Sequence, residues 1–377
     1  MSRITHIEPL LVTAAGKNFI FVRIRTANGA EGIGEGTIPH KARTVAACIL
    51  DFAEFLIGQE SSDIERLWQM VYRHSFHRGG PIMMTALSAI EQALWDIRGK
   101  ELGQPVWNLL GGAARDQIKV YTHAGGPNPD VVARRSADLV AAGYRGIKLG
   151  IPGSVEPIAD ERAVTATVDN VRAAREAVGG AVDIMIDMHA KPTPPVAIRL
   201  AHELAQFRPL FVEEPIPPEN IDALAMIARS IPLPIATGER LYSKWMFREV
   251  VEKQAAAVLQ PDLGHAGGIL EVKKIATLGE LYYCSLAPHN PRGPGVTMAS
   301  LHVAACTHNF LIQEIVYDDP MRDEMMVEPW KVTDGYVDLP RAPGLGLRFD
   351  DAWLKKYPFR QYDSAHPSLK DGTPADW

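Results

Sequence analysis

The sequence predicts an α/β protein in which a (β/α)₇β barrel of the TIM type follows a smaller α+β unit. Two observations lead to this prediction. Strand-like and helix-like segments alternate over residues 117–318, which is the pattern of a parallel barrel. In addition, a polar residue closes each of six successive strand-like runs, at spacings of 23 to 27 residues. The carboxyl ends of barrel strands meet at one rim, so these six residues are expected to share the face where barrels build their active sites.

The N-terminal unit, residues 1–116, is expected to be a separate α+β domain. Residues 4–36 consist of strand-like runs, and the glycine-containing turn ANGAEG between two of them predicts a hairpin. From about Lys41 the apolar residues follow a helical period, in segments near 41–58, 62–74 and 83–100. The last of these is expected to stop at Gly103. Strands followed by helices, without alternation, are typical of an α+β domain.

The barrel prediction depends on eight strand-like runs: IKVYTHA, GIKLG, IMIDMHA, LFVEEPI, PIATGER, AVLQPDL, CSLAPHN and LIQEIV. Helical stretches lie between them, but no eighth helix follows Glu314. The barrel is therefore expected to end near residue 318 as (β/α)₇β. Residues 319–377 read as a short strand and turns that return to the N-terminal unit.

Composition and charge exclude several classes of function. The chain has 377 residues, 46% of them hydrophobic, and a net charge of -6 with no basic block. This argues against a nucleic-acid partner or a membrane surface. No apolar stretch is long enough to span a membrane, and the N-terminus lacks the apolar core of a signal peptide. Three cysteines without a CxxC pair predict neither a disulfide framework nor a zinc site, and so favour a cytoplasmic protein.

Three acids at successive strand ends suggest a metal site. Asp187, Glu213 and Glu239 follow one another at intervals of 26 residues. Any one of them alone is better explained as a solvated acid at a helix N-terminus. Three in phase favour a hard divalent cation, most simply Mg²⁺, which prefers oxygen ligands. Strand alternation points the adjacent Glu214 away from the site, where it would support the metal ligands.

Two histidines at the same rim could transfer protons. Asp262 and His289 close successive runs, and a carboxylate bonded to one imidazole nitrogen leaves the other nitrogen free to accept a proton. Alone, His289 could equally be a structural histidine. His189 lies two residues beyond Asp187, so alternation places it on the same face. There it could act as an acid on the opposite side of a metal-held substrate.

Two further rim residues have open interpretations. Glu314 could donate a hydrogen bond to a substrate carboxylate if it is protonated, or it could be a buried acid paired with lysine or arginine. Lys148 could stabilise charge in the reaction, or it could form a salt bridge to a metal-ligand carboxylate.

Several segments together resemble the enolase superfamily: IDMH, FVEEP, ATGER, QPDLGHAGG, LAPHNP and IQEI, behind the helix TALSAIEQALWDIRGKELGQPVWNLLGG. The likeness covers essentially the whole chain and is closest to the mandelate racemase subgroup, in particular to sugar-acid dehydratases of the galactonate dehydratase type. It implies an α+β domain that caps the barrel and a homo-oligomer. It also implies roles for the rim residues: Asp187, Glu213 and Glu239 as Mg²⁺ ligands, Asp262 and His289 as the base dyad, Glu314 as the electrophilic acid and His189 as the leaving-group acid.

The resemblance implies a Mg²⁺-dependent dehydratase of a small-molecule sugar acid. Racemases of the subgroup are similar to one another in a Lys-x-Lys pair on the second strand, but this chain has Lys148-Leu149-Gly150 there. The alternatives are a cycloisomerase, epimerase or racemase, and the missing lysine weakens the last two. A non-catalytic relative is a further alternative, against which the complete acid and base set speaks.

Specificity is expected to come from the cap. The candidates are the loop TAAGKNF (13–19) and the polar run YRHSFHRGG with Arg73, His74, His77 and Arg78, although a charged helix end is the commoner explanation of such a run. At the rim, His123, Asn290 and Arg292 could touch substrate hydroxyls.

Overall fold

The computed structural model has the predicted architecture, a three-stranded antiparallel sheet with helices set against an eight-stranded parallel barrel. It describes residues 2–74, 76–158, 160–361 and 367–376. The predicted fold class is thereby confirmed. Within the described residues, no helix combines the length and the apolar character needed to cross a membrane.

The N-terminal unit, called the cap below, packs three long helices on its sheet. Its elements are β1 (Ile4–Ala14), β2 (Lys17–Thr26), β3 (Glu31–Glu35), α1 (Ala42–Leu56), α2 (Ile64–His74), α3 (Pro81–Leu102) and the single turn α4 (Val106–Leu109). Helix α3 begins with Pro81 in its first turn and ends at Gly103, whose left-handed backbone suits a helix end. The apolar faces of the sheet and the helices form one buried cluster. The helical spacing of apolar residues in the sequence gives each helix such a face.

Alternation along β3 explains the sequence EGIGE. A Cβ at Gly32 would lie 2.1 Å from the carbonyl oxygen of Ala93, and one at Gly34 would lie 2.0 Å from that of Ala89. Glycine therefore lets the strand backbone lie directly on α3. Glu35, the residue after Gly34, faces the other way, towards the barrel.

The barrel strands are β4 (Gln117–His123), β5 (Gly146–Gly150), β6 (Asp183–Asp187), β7 (Phe211–Glu213), β8 (Ile235–Thr237), β9 (Val258–Leu259), β10 (Ser285–Leu286) and β11 (Gln313–Glu314). The alternating helices are α5 (Pro129–Ala141), α6 (Glu161–Val178), α7 (Pro194–Leu204), α8 (Ile221–Ser230), α9 (Lys244–Glu252), α10 (Ile269–Glu280) and α11 (Pro294–Ala305). Neighbouring strands pair in parallel from β4 to β10, and β11 pairs with β4. The backbone of Leu286 exchanges hydrogen bonds with Asn309 and Leu311, which closes the ring.

Three strands end earlier than predicted. Glu239 lies two residues beyond β8, and Asp262 and His289 each lie three residues beyond β9 and β10. Pro261 and Pro288 precede the latter two residues, and proline cannot donate a hydrogen bond to a neighbouring strand. Loops above the strands therefore carry three of the six rim residues.

The C-terminal segment returns to the cap as expected, but it contacts the barrel first. The elements are α12 (Arg322–Met325), β12 (Tyr336–Asp338), which pairs antiparallel with the start of β4, and α13 (Ala352–Lys356). Leu345 N then donates to Asp96 of α3, and Thr13 of β1 exchanges hydrogen bonds with Tyr357 and Arg360. The chain's last part thus completes the cap.

Two cap carboxylates hold the amino ends of two barrel helices. Glu35 accepts hydrogen bonds from Gly293 N, Gly295 N and Val296 N, at 2.9 to 3.1 Å, where α11 begins. Glu91 does the same for α10, accepting from the amides of Ile269 and Leu270 at 2.7 and 2.9 Å. Both helices have glycine at the N-cap position and no side-chain cap of their own. The cap therefore satisfies backbone donors that the barrel leaves open.

Candidate active site

Three of the six rim residues, Asp187, Glu239 and His289, line a cavity between the cap and the barrel. Two adjoining parts, of about 570 and 790 Å³, share five charged or titratable lining residues, which are Lys17, His123, Lys148, Asp187 and His189. Glu239, His289 and Arg292 line the smaller part, together with Thr37, Pro39 and His40 of the cap. The cavity therefore lies where the strand-end pattern predicted a site.

The structure brings the three predicted metal ligands to neighbouring positions. Asp187 and Glu213 are paired in register on β6 and β7. Oxygens of Glu213 and Glu239 and a ring nitrogen of His289 lie within 4.8 Å of one another, close enough to surround an ion. Asp187 is not part of this group: one of its oxygens accepts from His189 N at 2.7 Å, and the other lies 3.4 Å from Lys148 Nζ.

This donor set fits a hard divalent cation. Burial raises the pKa of Glu213 to about 8; Lys148 opposes that rise, and the negative charges of Asp187, Glu314 and Glu239 add to it. A cation among these carboxylates would compensate their repulsion, and oxygen-rich sites are those that Mg²⁺ and similar ions prefer. The assignment of Asp187, Glu213 and Glu239 as ligands stays a prediction.

Lys148 has the arrangement of a salt bridge to the candidate metal ligands. Its fully buried ammonium lies 2.9 Å from Glu213, 2.8 Å from Glu314 and 3.4 Å from Asp187. Burial lowers the pKa of Lys148, but Glu213 and Glu314 outweigh burial and hold it well above the usual value. The geometry thus favours the second of the two interpretations of this residue.

Glu314 is an ion-paired buried acid. One oxygen contacts Lys148 and the imidazole of His123, and the other accepts from Asn290 N at 2.8 Å. Burial raises its pKa, but Lys148 and His123 outweigh burial and keep the pKa well below the usual value. Donation by a protonated Glu314 would require a change in these contacts, and its role as an electrophilic acid stays a prediction.

Asp262 and His289 have the geometry expected of a dyad. His289 Nδ1 lies 2.9 Å from Asp262 Oδ2, and both side chains are buried. His289 Nε2 faces the cavity, 3.1 Å from Glu239 Oε2. Burial lowers the pKa of His289, but Glu239, Asp262 and Glu314 raise it to about 9. Asp262 therefore orients the ring, while Nε2 is the nitrogen that could exchange a proton with a ligand.

His189 is positioned by a turn and not by strand alternation. Its backbone is left-handed, with φ at 54°, in the turn after β6. The strand has already ended at Asp187, so the alternation argument does not apply to His189. The turn nevertheless directs it to the cavity, which it lines together with Asp187 and Lys148. Glu214 is directed away as predicted and accepts from Thr237 Oγ1 and Gly238 N, next to Glu239.

The cap candidates divide into two groups. Gly16, Lys17, Asn18 and Phe19 of the predicted loop line the cavity, as do His123 and Arg292. In the polar run, His74 instead packs on Phe55 and Arg78 lies over Tyr72, which is the behaviour of a charged helix end.

Asn290 is also absent from the lining of this cavity, because its side-chain amide donates to Thr297 and to the Glu314 carbonyl inside the wall. Several lining residues carry no signal in the sequence, among them the polar residues Thr37, His40 and Lys191. All three lie in loops, where no periodic signal marks them.

The fold and sequence match known families over most of the chain. Residues 5–111 match a family profile described as the mandelate racemase / muconate lactonizing enzyme N-terminal domain, and residues 131–353 match one described as enolase C-terminal domain-like. D-galactonate dehydratase of Ralstonia pickettii (strain 12J) is 41% identical over 372 residues, which cover 95% of this chain and 96% of the relative. The enzyme of the same name from Ralstonia nicotianae has the same identity and coverage.

Solved structures agree. A mandelate racemase/muconate lactonizing enzyme from Sulfitobacter sp. superposes with a TM-score of 0.91 and 33% identity, with all of both chains covered. A mandelate racemase/muconate lactonizing enzyme-like protein from Roseovarius sp. TM1035 gives a TM-score of 0.89 and 34% identity, covering 98% of each chain.

Proposed function

Because the chain belongs to the mandelate racemase / muconate lactonizing enzyme family of the enolase superfamily, we propose that it is a Mg²⁺-dependent sugar-acid dehydratase. It would remove water from a 2,3-dihydroxy acid and yield a 2-keto-3-deoxy acid. The observation that carries the proposal is that two histidines, His189 and His289, line one cavity together with candidate metal ligands. The 41% identical relatives named D-galactonate dehydratase make galactonate the first candidate substrate.

Asp187, Glu213 and Glu239 would hold the metal ion, which when bound supplies Lewis-acid stabilisation of negative charge on substrate oxygens. Enzymes of the enolase superfamily use a lysine or histidine base together with Mg²⁺. The remaining steps belong to the side chains.

His289 would remove the proton from C2, next to the substrate carboxylate. Asp262 fixes its Nδ1 side, so Nε2 is presented to the cavity. Burial lowers the pKa of His289 and the charge of Glu239 raises it. A cation held by Glu239 would weaken the effect of that charge. A neutral imidazole would then be available as the base near neutral pH.

His189 would protonate the departing 3-hydroxyl. It borders the cavity from the β6 turn, whereas His289 borders it from the loop after β10, so the two imidazoles approach from different parts of the rim. Positioned acids of this kind contribute roughly 10² to 10⁴ in rate. Residues 16–19 of the cap line the cavity, where they would shield the intermediate from water.

The second candidate keeps the same site but makes the protein an epimerase or cycloisomerase, with His189 as a second base. The observation that favours it is only the presence of two imidazoles. The segment Lys148-Leu149-Gly150 lacks the second lysine, and Lys148 itself is enclosed by carboxylates.

A substrate screen tests the proposal. Purified protein would be incubated with Mg²⁺ and a library of sugar acids in D₂O, with the 2-keto-3-deoxy product detected by a carbonyl reagent and deuterium at C2 by NMR. Product formation that EDTA abolishes is the expected result. Deuterium without a keto product would move the assignment to an epimerase, and neither signal across the library would refute the substrate class.

The variant His189→Asn separates the two candidates. A dehydratase should still exchange the C2 proton but lose most elimination, whereas an epimerase should lose exchange from one face. His202→Asn is a matched control, because His202 is an exposed histidine on α7. Full dehydration by His189→Asn would remove His189 from the mechanism.

A further inference from the structure

We propose that Thr85, on cap helix α3, is a positioning residue that holds His265 in its Nδ1–H tautomer, so that Asp262 Oδ2 stays reserved for His289. The inference rests on the proposed function only in taking Asp262 and His289 as the dyad that acts as the base. It links the cap to this dyad through Thr85 and His265, two residues that the sequence did not single out.

The hydroxyl of Thr85 determines which imidazole nitrogen carries the hydrogen. Thr85 Oγ1 lies 2.6 Å from the carbonyl oxygen of Pro81 and 2.8 Å from His265 Nδ1. A hydroxyl has one hydrogen to donate and lone pairs to accept with. The carbonyl can only accept, so the hydroxyl hydrogen is directed to Pro81. Thr85 must then accept its second hydrogen bond from His265 Nδ1–H.

The other nitrogen of the ring supports the same assignment. His265 Nε2 is buried, has no hydrogen-bond partner, and lies 3.7 Å from Asp262 Oδ2. Nitrogen–oxygen hydrogen bonds are about 2.7–3.2 Å long, so this contact is not one. A hydrogen on Nε2 would point at a carboxylate and would be expected to shorten the distance. Burial also lowers the pKa of His265 to about 4 despite Asp262, so the ring is neutral near pH 7 and carries a single hydrogen.

The tautomer matters because both oxygens of Asp262 have other partners. Oδ1 accepts from Gly264 N at 2.7 Å, and Oδ2 accepts from His289 Nδ1 at 2.9 Å. A hydrogen on His265 Nε2 would compete with His289 for Oδ2. The competition would weaken the bond that orients His289 and would reduce the basicity that the carboxylate confers on it. Thr85 prevents this competition because it accepts the hydrogen bond from Nδ1–H and so keeps the single ring hydrogen of His265 on Nδ1.

The direct test is NMR of the full chain labelled with ¹⁵N-histidine, with the protonated ring nitrogen identified from two-bond ¹H–¹⁵N correlations. We expect a neutral Nδ1–H signature for His265 in the wild type and an Nε2–H signature in Thr85→Val. Thr85→Ser should restore Nδ1–H, because serine keeps the hydroxyl. Thr167→Val is the matched control, since Thr167 is a buried helical threonine that also bonds to the carbonyl four residues earlier.

The wild-type spectrum alone can overturn the inference, even if Thr85→Val does not fold. An Nε2–H signature for wild-type His265, or an unchanged signature in a folded Thr85→Val, would refute it. In the substrate assay, kcat for C2 exchange should fall roughly tenfold in Thr85→Val with KM unchanged, as when a partner that orients a functional histidine is lost. Thr85→Ser and Thr167→Val should match the wild type; loss of activity in Thr167→Val equal to that in Thr85→Val would show a merely structural effect. If no sugar acid reacts, the proposed function fails while the NMR result still decides the tautomer.

Discussion

Replacement of Lys148 by methionine should destabilise the metal-free protein strongly. The ammonium is fully buried and lies within 3.4 Å of Asp187, Glu213 and Glu314, and methionine has a similar length but no charge. Removal of one partner from a buried ion pair typically costs about 3–5 kcal/mol, because the remaining charges are left uncompensated. We expect a loss of this size in the free energy of unfolding at pH 8 in EDTA.

The loss should depend on pH and on metal. At pH 5.5 the carboxylates of the variant can take up protons, so the loss should be smaller than at pH 8. A bound divalent cation replaces the missing charge, so Mg²⁺ should stabilise the variant more than it stabilises the wild type. Urea unfolding at both pH values, with EDTA or Mg²⁺, measures all of these effects.

A matched control separates burial from charge. Lys119 pairs with Asp183 at 2.6 Å, but both side chains are about one-third exposed. Lys119→Met should therefore cost only about 0–1 kcal/mol. A loss in Lys148→Met no larger than in this control, or one that is equal at both pH values, would refute the reasoning.

Three further predictions concern the cap and the site. Gly34→Ala should lower the free energy of unfolding by about 1–3 kcal/mol or more, because the new methyl group meets the Ala89 carbonyl. In the control Gly180→Ala the methyl group meets only the end of an arginine side chain, so this variant should be nearly neutral in urea unfolding. Burial raises the pKa of Glu91 to about 7, above its unfolded value, so its stabilising contribution is lost as the pH rises through 7. The free energy of unfolding of the wild type should fall by about 3 kcal/mol between pH 4.5 and 8, and Glu91→Gln should abolish this fall. Thermal unfolding of both proteins across this pH range measures the difference. Glu239→Gln should lower the pKa of His289 below about 9, measured by NMR titration in EDTA, because Glu239 is the strongest of the charges that raise it; an unchanged pKa would contradict that assignment.

The sequence sufficed for the fold and for the rim residues because both depend on periodicity. The strand–helix period located the barrel, and three of the residues that close its runs, Asp187, Glu239 and His289, line one cavity. The argument for His189 was right about its location and wrong about its cause, since a left-handed turn and not alternation directs it there.

Contacts between distant segments could not be predicted in this way. Glu35 and Gly293 are 258 residues apart, and Thr85 and His265 are 180 apart. Nothing in the local pattern of either segment signals the other. For the polar run around Arg73 and His74, the packing of His74 on Phe55 favours the commoner of the two explanations, a charged helix end.

The two glutamates that complete α10 and α11 determine how this protein can be recombined with its relatives. A cap transplanted from another member would leave both helix ends bare unless it carried an acid at the positions of Glu35 and Glu91. Residues 16–19 of the predicted loop, beyond Thr13, line the cavity directly and cap neither helix. Exchange of that loop alone is therefore the smallest graft that alters what the cavity admits and leaves the joint between the two halves intact.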